Sequence, residues 1–271
     1  MSQAAYSRFE ETHVSFLTKD AARSVAAHDS LSVLQKHQEP TLSGGRFMKP
    51  IVFGGLDGIS TIFSLIAGSV GAQLSPSNML AVGAANLVAG AFGMGMGEYV
   101  SSKADNEVAR REQAREAWEV DNYPEGEIAE MIEIYTSKGI SSDDASVIAR
   151  TLAKYKDFWV EHMLLTEIGM LPPDDQESHV LSGLIMFCAF VCFGAIPLLS
   201  FAFLAHFQSL LSPFVCSAAT SLLTLFLLGA AKAHFIGSPR IYGGMLMILQ
   251  GSLCAASAYW LGDFILGVLQ D

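Results

Sequence analysis

The chain has 271 residues, of which 51% are hydrophobic and only 16% are charged, and its mean hydropathy is +0.37. This balance is typical of a protein that crosses a membrane several times, and it argues against a soluble enzyme. The formal net charge of −11 argues against a nucleic acid as partner, because a phosphate backbone repels an acidic surface.

Residues 1–45 form a polar tail of mixed charge, which we expect to be cytosolic. Within it, a helix-like stretch at about 16–37 has apolar residues among polar ones. Two interpretations remain open for this stretch: a helix that lies on the membrane surface, or a loosely ordered tail that ends at Pro40 and the Gly44-Gly45 pair.

Five apolar runs follow, and each is close to or above the roughly 20 residues that a spanning helix needs. The first two transmembrane helices are predicted within 46–102 and the last three within 179–271. All sixteen Lys and Arg residues fall before run one, in the segment between runs two and three, or at the end of run four and in the loop after it. Because Lys and Arg favour the cytosolic side, this distribution predicts a cytosolic N-terminus and a lumenal or extracellular C-terminus. The runs lie at about 50–74, 79–101, 180–205, 212–233 and 241–268.

The segment 103–178, which we call the insert, carries 18 of the 27 acidic residues against eight basic ones. No helix-stop signal separates it from the second span before Pro124, so one long helix is predicted to leave the membrane and enter the cytosol. Further helices are predicted at about 125–138, from Ser141 or Ser142 to about 154, and at about 157–170. The fold class is therefore an all-α membrane protein with five transmembrane helices and a cytosolic helical domain inserted between helices two and three.

Asp57 lies inside the first apolar run, and a carboxylate at that depth normally has a function. It is eight residues inward from Lys49, about 12 Å, while Met94 on the second span is nine residues inward from Lys103, about 13 to 14 Å. Glu98 lies one turn nearer the cytosol on the same face as Met94. A thioether and carboxylates at one level suggest a path for a divalent transition metal. The alternative is that the Glu98 side chain only extends to the membrane–water interface.

The insert repeats glutamates at helical spacing, which stacks carboxylates along helix faces and weakens the helices unless a cation lies among them. The last helix of the insert adds the thioether of Met163 and, four residues later, the carboxylate of Glu167. The candidate metal ligands are Glu112, Glu116, Glu119, Glu127, Glu130, Met163 and Glu167. The alternative is a solvated acidic face that Arg110, Arg111 and Arg115 partly neutralise.

The four cysteines all fall within apolar runs and form no CxxC pair. We expect them to be small buried packing residues rather than disulfides or metal ligands. The chain also lacks a P-loop, a GxSxG and an HExxH motif, so neither ATP-driven transport nor hydrolysis is indicated, and we do not expect an enzyme.

Two motifs, Phe53-Gly-Gly-Leu-Asp-Gly and the stretch from Ala89 to Lys103, together with the acidic insert, resemble the vacuolar iron transporter family. The resemblance extends from about residue 47 to the end. It implies a homodimer that moves Fe²⁺, and often Mn²⁺ or other divalent ions, from the cytosol into a vacuole or similar store in exchange for protons. Asp57 and Met94 match the membrane pathway of the family. The insert residues that match its cytosolic metal ligands are Glu116, Glu119, Glu127, Glu130, Met163 and Glu167.

The chain departs from the family pattern at three positions. Asn86 stands where plant members have a membrane glutamate, Pro50 where they have an acid at the cytosolic entrance, and Leu164 where a second methionine can follow the first. These departures concern the proton route, and Glu98 is the candidate to take over part of it.

The main hypothesis is a proton-coupled exporter of Fe²⁺ from the cytosol, with no permanently bound cofactor. The transported ion can also be Mn²⁺, Co²⁺ or Zn²⁺, because ligand type alone does not choose among them. Partners are the metal ions, protons, membrane lipid and a second copy of the chain. Two other hypotheses are a membrane-anchored metal sensor or buffer, and a passive cation channel.

Overall fold

The computed structural model describes residues 45–174, 178–204 and 211–270. The helix-like stretch at 16–37 lies outside these residues. Within them the chain forms eight α-helices and no strand. They are α1 Gly45–Gly71, α2 Pro76–Asn122, α3 Pro124–Ser137, α4 Ser142–Leu152, α5 Lys156–Met163, α6 His179–Leu204, α7 Leu211–Ile236 and α8 Arg240–Gln270.

Five of the helices are long and apolar enough to cross a membrane, which confirms the number and the approximate bounds of the predicted spans. Each offers at least 24 residues, more than the roughly 20 that a bilayer requires. The candidate spans are Phe47–Gly71, the helix Pro76–Asn122, His179–Leu204, Pro213–Ile236 and Arg240–Gln270.

Helix α1 is the centre of this bundle, because it packs against all four other span helices, and α6 packs along both α1 and α2. Phe190 of α6, with 1% of its surface exposed, lies between them. A Cβ on Gly58 of α1 would lie 2.5 Å from the Phe190 carbonyl oxygen, and a Cβ on Gly90 of α2 would lie 2.6 Å from the Phe190 ring. Glycine at these two positions therefore allows α1 and α2 to approach α6 closely.

Helix α2 continues without interruption from the apolar bundle into the insert, as predicted. Its 47 residues correspond to about 70 Å, more than twice the roughly 30 Å of a hydrocarbon core. In the apolar part the buried residues recur every four positions and face α6. They are Met79, Gly83, Leu87, Ala91 and Gly95, and only Ala109 and Glu116 are buried further along.

The insert folds around an apolar core of its own, formed by α3, α4 and α5. The turn between α3 and α4 uses Gly139 at φ +95°, and the Ser141 side chain caps α4 by accepting a hydrogen bond from the Asp144 amide. These ends agree with the predicted turn and cap. The core consists of Ile128, Met131, Tyr135, Ala145, Ala149, Trp159 and Met163.

The helix predicted at about 157–170 is present, but its second half is π-helical rather than α-helical. Helix α5 ends at Met163 and is followed by a π-helical turn, Leu164–Ile168. Gly169 adopts a left-handed conformation at φ +74°, and the Leu164 carbonyl oxygen accepts hydrogen bonds from the amides of both Gly169 and Met170. Because these bonds close over five and six residues, the last turn is wider than an α-helical turn.

The expected burial of the cysteines is wrong for three of the four. Cys188, Cys192 and Cys254 are exposed on the outside of the bundle, Cys216 is half-buried, and all four thiols are free. The outer surface of a membrane bundle is as apolar as its interior, so an apolar sequence position does not indicate burial.

Candidate functional site

Five glutamates of the insert come together in two overlapping groups, which we call the carboxylate cluster. Glu116, Glu119 and Glu127 form one group, and Glu127, Glu130 and Glu167 form the other. Within each group one carboxylate oxygen per residue lies within 4.8 Å of the others. Glu127 belongs to both groups and can bridge two adjacent cations.

The sharp turn between α2 and α3 creates this arrangement. Glu116 and Glu119 are about one turn apart on α2, and the chain reverses at Tyr123, whose carbonyl oxygen accepts hydrogen bonds from the Gly126 and Glu127 amides. A Cβ at Gly126 would overlap the Tyr123 ring, so glycine lets this ring lie against the turn in its observed position. The first turn of α3 therefore places Glu127 next to Glu116 and Glu119 of α2.

Burial makes the cluster costly when it is empty. Glu116 is 1% exposed and Glu127 is 5% exposed. Burial, together with the negative charge of Glu167, raises the pKa of Glu116 to about 7. Burial and the neighbouring Glu130 raise the pKa of Glu127 to about 7, and the same two causes raise the pKa of Glu167. At neutral pH the carboxyls of Glu116 and Glu127 are therefore close to half-protonated, and a proton or a metal ion can bind them.

One oxygen of Glu116 has no partner within the described residues. Its Oε1 atom accepts a hydrogen bond from Arg115 at 2.8 Å, but its Oε2 atom is fully buried without any hydrogen bond. Buried polar atoms nearly always have a hydrogen-bond partner, and a buried carboxylate oxygen without one is especially destabilising. The orphaned oxygen is the feature that a bound cation would explain.

Two of the predicted ligands occupy different settings from the other five. Glu112 lies outside both groups and pairs with the Arg115 side chain at 2.9 Å. Met163 is fully buried in the apolar core of the insert, next to Tyr135 and Trp159. Their role as metal ligands, like that of the other five residues, stays a prediction.

Sequence reasoning did not find two polar links in the insert. Arg115 contacts three acids, whereas its neighbour Arg111 takes part in none of the ion pairs among the described residues. The Tyr135 hydroxyl and His162 Nε2 lie 2.6 Å apart and join α3 to α5. Spacing identifies which charges share a helix face, but it does not identify which cation reaches which carboxylate.

Asp57 and Met94, the predicted pathway residues, lie at similar depths along α6. Gly58, next to Asp57, and Gly90 both pack on Phe190. Met94 is one helical turn, about 6 Å, beyond Gly90 on α2. The two side chains therefore stand within about one turn of each other in depth.

The surroundings of the two residues differ. Asp57 is half-buried, and its Oδ1 atom accepts a long hydrogen bond of 3.5 Å from the Thr61 hydroxyl. Met94 is half-buried against the apolar core of the bundle, whereas Met96, two residues further, is 56% exposed. A carboxylate with one weak internal partner keeps most of its capacity to bind a proton or a cation.

Glu98 lines a cavity of about 610 Å³, with charged and apolar residues in its walls, where α1 begins and α2 leaves its apolar part. This volume can hold several water molecules. The other walls come from Lys49 of α1, from Asn106 two turns further along α2, and from the linker after Gly169. Glu98 therefore faces an aqueous space between the bundle and the insert, which fits a role at the entrance better than a role in the apolar interior.

The fold and the site together define an integral membrane protein of five candidate spans with a buried carboxylate cluster suited to divalent cations. Residues 48–263 match the model of the VIT family, and the chain belongs to this family.

Curated relatives match most of the chain. A vacuolar iron transporter of Toxoplasma gondii is 40% identical over 257 residues, which cover 91% of this chain and 85% of the relative. A vacuolar iron transporter of Plasmodium falciparum is 34% identical, with 93% of this chain and 94% of the relative covered. Vacuolar iron transporter 1 of Arabidopsis thaliana is 32% identical, with 86% and 92% covered. The family resemblance seen in the sequence is thus confirmed.

Proposed function

We propose that the chain is a secondary transporter that moves Fe²⁺ from the cytosol into a vacuole or similar storage compartment in exchange for protons. The relatives named vacuolar iron transporters support iron as the cargo. Carboxylates with a thioether also accept Mn²⁺, Co²⁺ and Zn²⁺, so we include these ions as secondary cargo.

The continuity of α2 is the observation that carries the proposal. One helix bears Met94 and Glu98 in or near the bundle and Glu116 and Glu119 in the carboxylate cluster. A metal collected by the insert thus has liganding groups along the same helix as far as the level of Asp57. A protein that only stored metal would not need an ionisable residue at that depth.

Asp57 would alternate between two states during transport. When it faces the cytosol it binds the metal with Met94, and when it faces the lumen it exchanges the metal for a proton. An acidic lumen drives this exchange, because protonation removes the charge that holds the cation. Glu98 lines the cavity of about 610 Å³ and supplies a carboxylate at the entrance. It thereby replaces the acids that plant members of the family have at the positions of Asn86 and Pro50.

We propose that the insert and the N-terminus are cytosolic and that the C-terminus is lumenal. The distribution of Lys and Arg supports this orientation. In that case the insert, the domain at 103–178, meets cytosolic metal before the membrane site does.

We also propose that two copies associate through α2. Val88, Phe92 and Met96 are 53%, 59% and 56% exposed, and a Cβ on Gly93 or Gly97 would meet nothing within 4 Å. A face of exposed apolar residues and open glycines lets a second helix approach closely. The pathway residue Met94 is next to this face.

Metal uptake into sealed vesicles separates this proposal from its two alternatives. The purified protein is reconstituted, and Fe²⁺ uptake is followed with and without an imposed pH gradient. A proton-coupled transporter gives uptake that follows the gradient. A passive channel gives uptake that is indifferent to the gradient, and a metal sensor or buffer gives no uptake.

A further inference from the structure

We infer that Arg115 is an internal cation that holds the empty carboxylate cluster and competes with metal for it. The inference rests on the proposed metal-binding function of the insert. Arg115 would then set the affinity of the insert, so that metal is collected but not trapped.

The guanidinium group of Arg115 contacts three carboxylates at once. Its Nη2 atom lies 2.8 Å from Glu116 Oε1, its Nε atom 2.9 Å from Glu112 Oε2, and its Nη1 atom 3.9 Å from Glu119 Oε1. Two of these three acids belong to the first group of the cluster. Three other basic residues of the insert, Lys103, Arg150 and Lys156, pair with acids outside the cluster, namely Glu107, Glu125 and Asp121.

The contact with Glu116 is the decisive one. Glu116 is 1% exposed, so its charge has almost no help from water, and Arg115 satisfies only one of its two oxygens. Arg115 thus stabilises the empty cluster incompletely, and the second oxygen remains available to an arriving cation. Such an arrangement favours replacement of a weak internal cation by a stronger external one.

Arg115 is able to leave when metal arrives. Its side chain is 51% exposed, so the released guanidinium can be hydrated. A divalent ion held by Glu116 and Glu119 would repel the guanidinium at close range. Bound metal and the observed position of Arg115 are therefore mutually unfavourable.

A weaker affinity serves a transporter. A buried group of glutamates without a nearby cation would bind divalent ions more tightly and release them more slowly. With Arg115 present, the loss of metal is partly offset by the return of the guanidinium to Glu112 and Glu116. The insert can then pass its cargo to the membrane residues.

The test compares Arg115→Gln with Arg111→Gln in the full-length protein in detergent. Both substitutions remove one positive charge from the same face of α2, but Arg111 is exposed and forms none of the ion pairs among the described residues. Each protein is titrated by calorimetry with Fe²⁺ under argon and, separately, with Co²⁺. Thermal unfolding without metal and at saturating metal provides a second readout.

We expect Arg115→Gln to lower the Kd roughly three- to fivefold, because the substitution removes a cation that competes with metal for Glu116 and Glu119. The Kd of Arg111→Gln should stay within about 1.5-fold of the parent value, because a solvated charge further away is screened. Arg115→Gln should also unfold at a lower temperature without metal and show a larger rise when metal is added. Arg115→Lys keeps the charge with less reach, so its Kd should fall between those of the parent and Arg115→Gln.

The outcomes separate this inference from the function on which it rests. Absence of saturable binding by the unmodified protein would overturn the metal site itself. If the unmodified protein binds metal but Arg115→Gln binds equally well or more weakly, Arg115 orients the carboxylates rather than competing for them, and only the inference fails. An equal gain in affinity for Arg111→Gln would also overturn it, because the effect would then be one of net charge.

Discussion

The Tyr135 hydroxyl and the Nε2 atom of His162 lie 2.6 Å apart and share a hydrogen bond that joins α3 to α5. Helix α3 carries Glu127 and Glu130, and α5 leads into the π-helical turn that carries Glu167. The imidazole also stacks on the ring of Phe158, with ring centres 6.1 Å apart. This bond therefore fixes the relative position of two segments that contribute carboxylates to one group of the cluster.

Replacing Tyr135 by Phe should loosen that link without changing the packing of the ring. The lost hydrogen bond corresponds to about 1 kcal/mol of local stability. Amides of α5 should therefore exchange roughly fivefold faster in hydrogen-exchange measurements, and metal affinity should fall. Tyr123→Phe is the matched control, because Tyr123 is 66% exposed and no hydrogen bond of its hydroxyl is present among the described residues. Equal exchange rates in α5 for Tyr135→Phe and the parent would show that this hydrogen bond does not stabilise α5.

Metal binding by the insert should weaken as the pH falls through about 7. The pKa of both Glu116 and Glu127 is raised to about 7, so protons compete with metal for these carboxylates below that pH. Between pH 8 and pH 5.5 the affinity should drop at least about tenfold. Calorimetric titration across this range measures the effect, and an affinity independent of pH would contradict it.

The stability of the metal-free insert should change in the opposite direction. Because both pKa values in the folded state lie above the unfolded value of 4.5, the folded state binds more protons between about pH 4.5 and 7. Stability should therefore rise as the pH is lowered from 7 towards 4.5. Glu127→Gln should flatten this dependence in thermal unfolding curves, whereas Glu133→Gln, on the exposed side of α3, should leave it intact.

Replacing Glu116 and Glu130 together by Gln should remove the metal-dependent rise in thermal stability. Each group of the cluster loses one of its three carboxylates, so neither retains a full set of charged ligands. Transport should slow without stopping, since Asp57 and Met94 remain. The matched control is Glu107→Gln with Glu133→Gln, two exposed acids outside the cluster. An unchanged metal response in the Glu116 and Glu130 double variant would reduce the cluster to a solvated acidic face.

Met94→Leu should reduce Fe²⁺ uptake by more than its effect on stability explains. Leucine keeps most of the packing volume and removes a soft sulfur ligand, and such swaps usually cost less than about 1.5 kcal/mol of stability. Met96→Leu is the control, because Met96 lies two residues away and is 56% exposed. Equal uptake rates for the two variants would leave Met94 with a packing role only.

The sequence predicted the five spans, the long α2 and the ends of α3 and α4, because hydrophobic length, glycine turns and serine caps act locally. It did not predict the π-helical turn after Met163, since that turn depends on how Leu164 and Gly169 close the chain together. The exposed faces of Cys188, Cys192 and Cys254 were also missed, because lipid and protein interior have the same polarity.

In the candidate site, too, local features were predicted from the sequence and features that depend on packing were not. Helical spacing identified the glutamates of the cluster, and the turn at Tyr123 brought them together as two groups around Glu127. Spacing could not show that Glu116 is almost completely buried or that Arg115, rather than Arg111, reaches it. Both facts depend on how α3, α5 and the π-helical turn pack on α2.

Uptake of Fe²⁺ by vesicles that contain Asp57→Asn tests the central claim most directly. The amide keeps the shape of the side chain but loses the negative charge and the site for the exchanged proton. Asp263→Asn is the control, an exposed carboxylate on another candidate span. The account predicts that an imposed pH gradient drives Fe²⁺ uptake in the parent protein and in Asp263→Asn, and that Asp57→Asn gives none while remaining folded. Gradient-driven uptake at the parent rate in Asp57→Asn would contradict the proposed pathway.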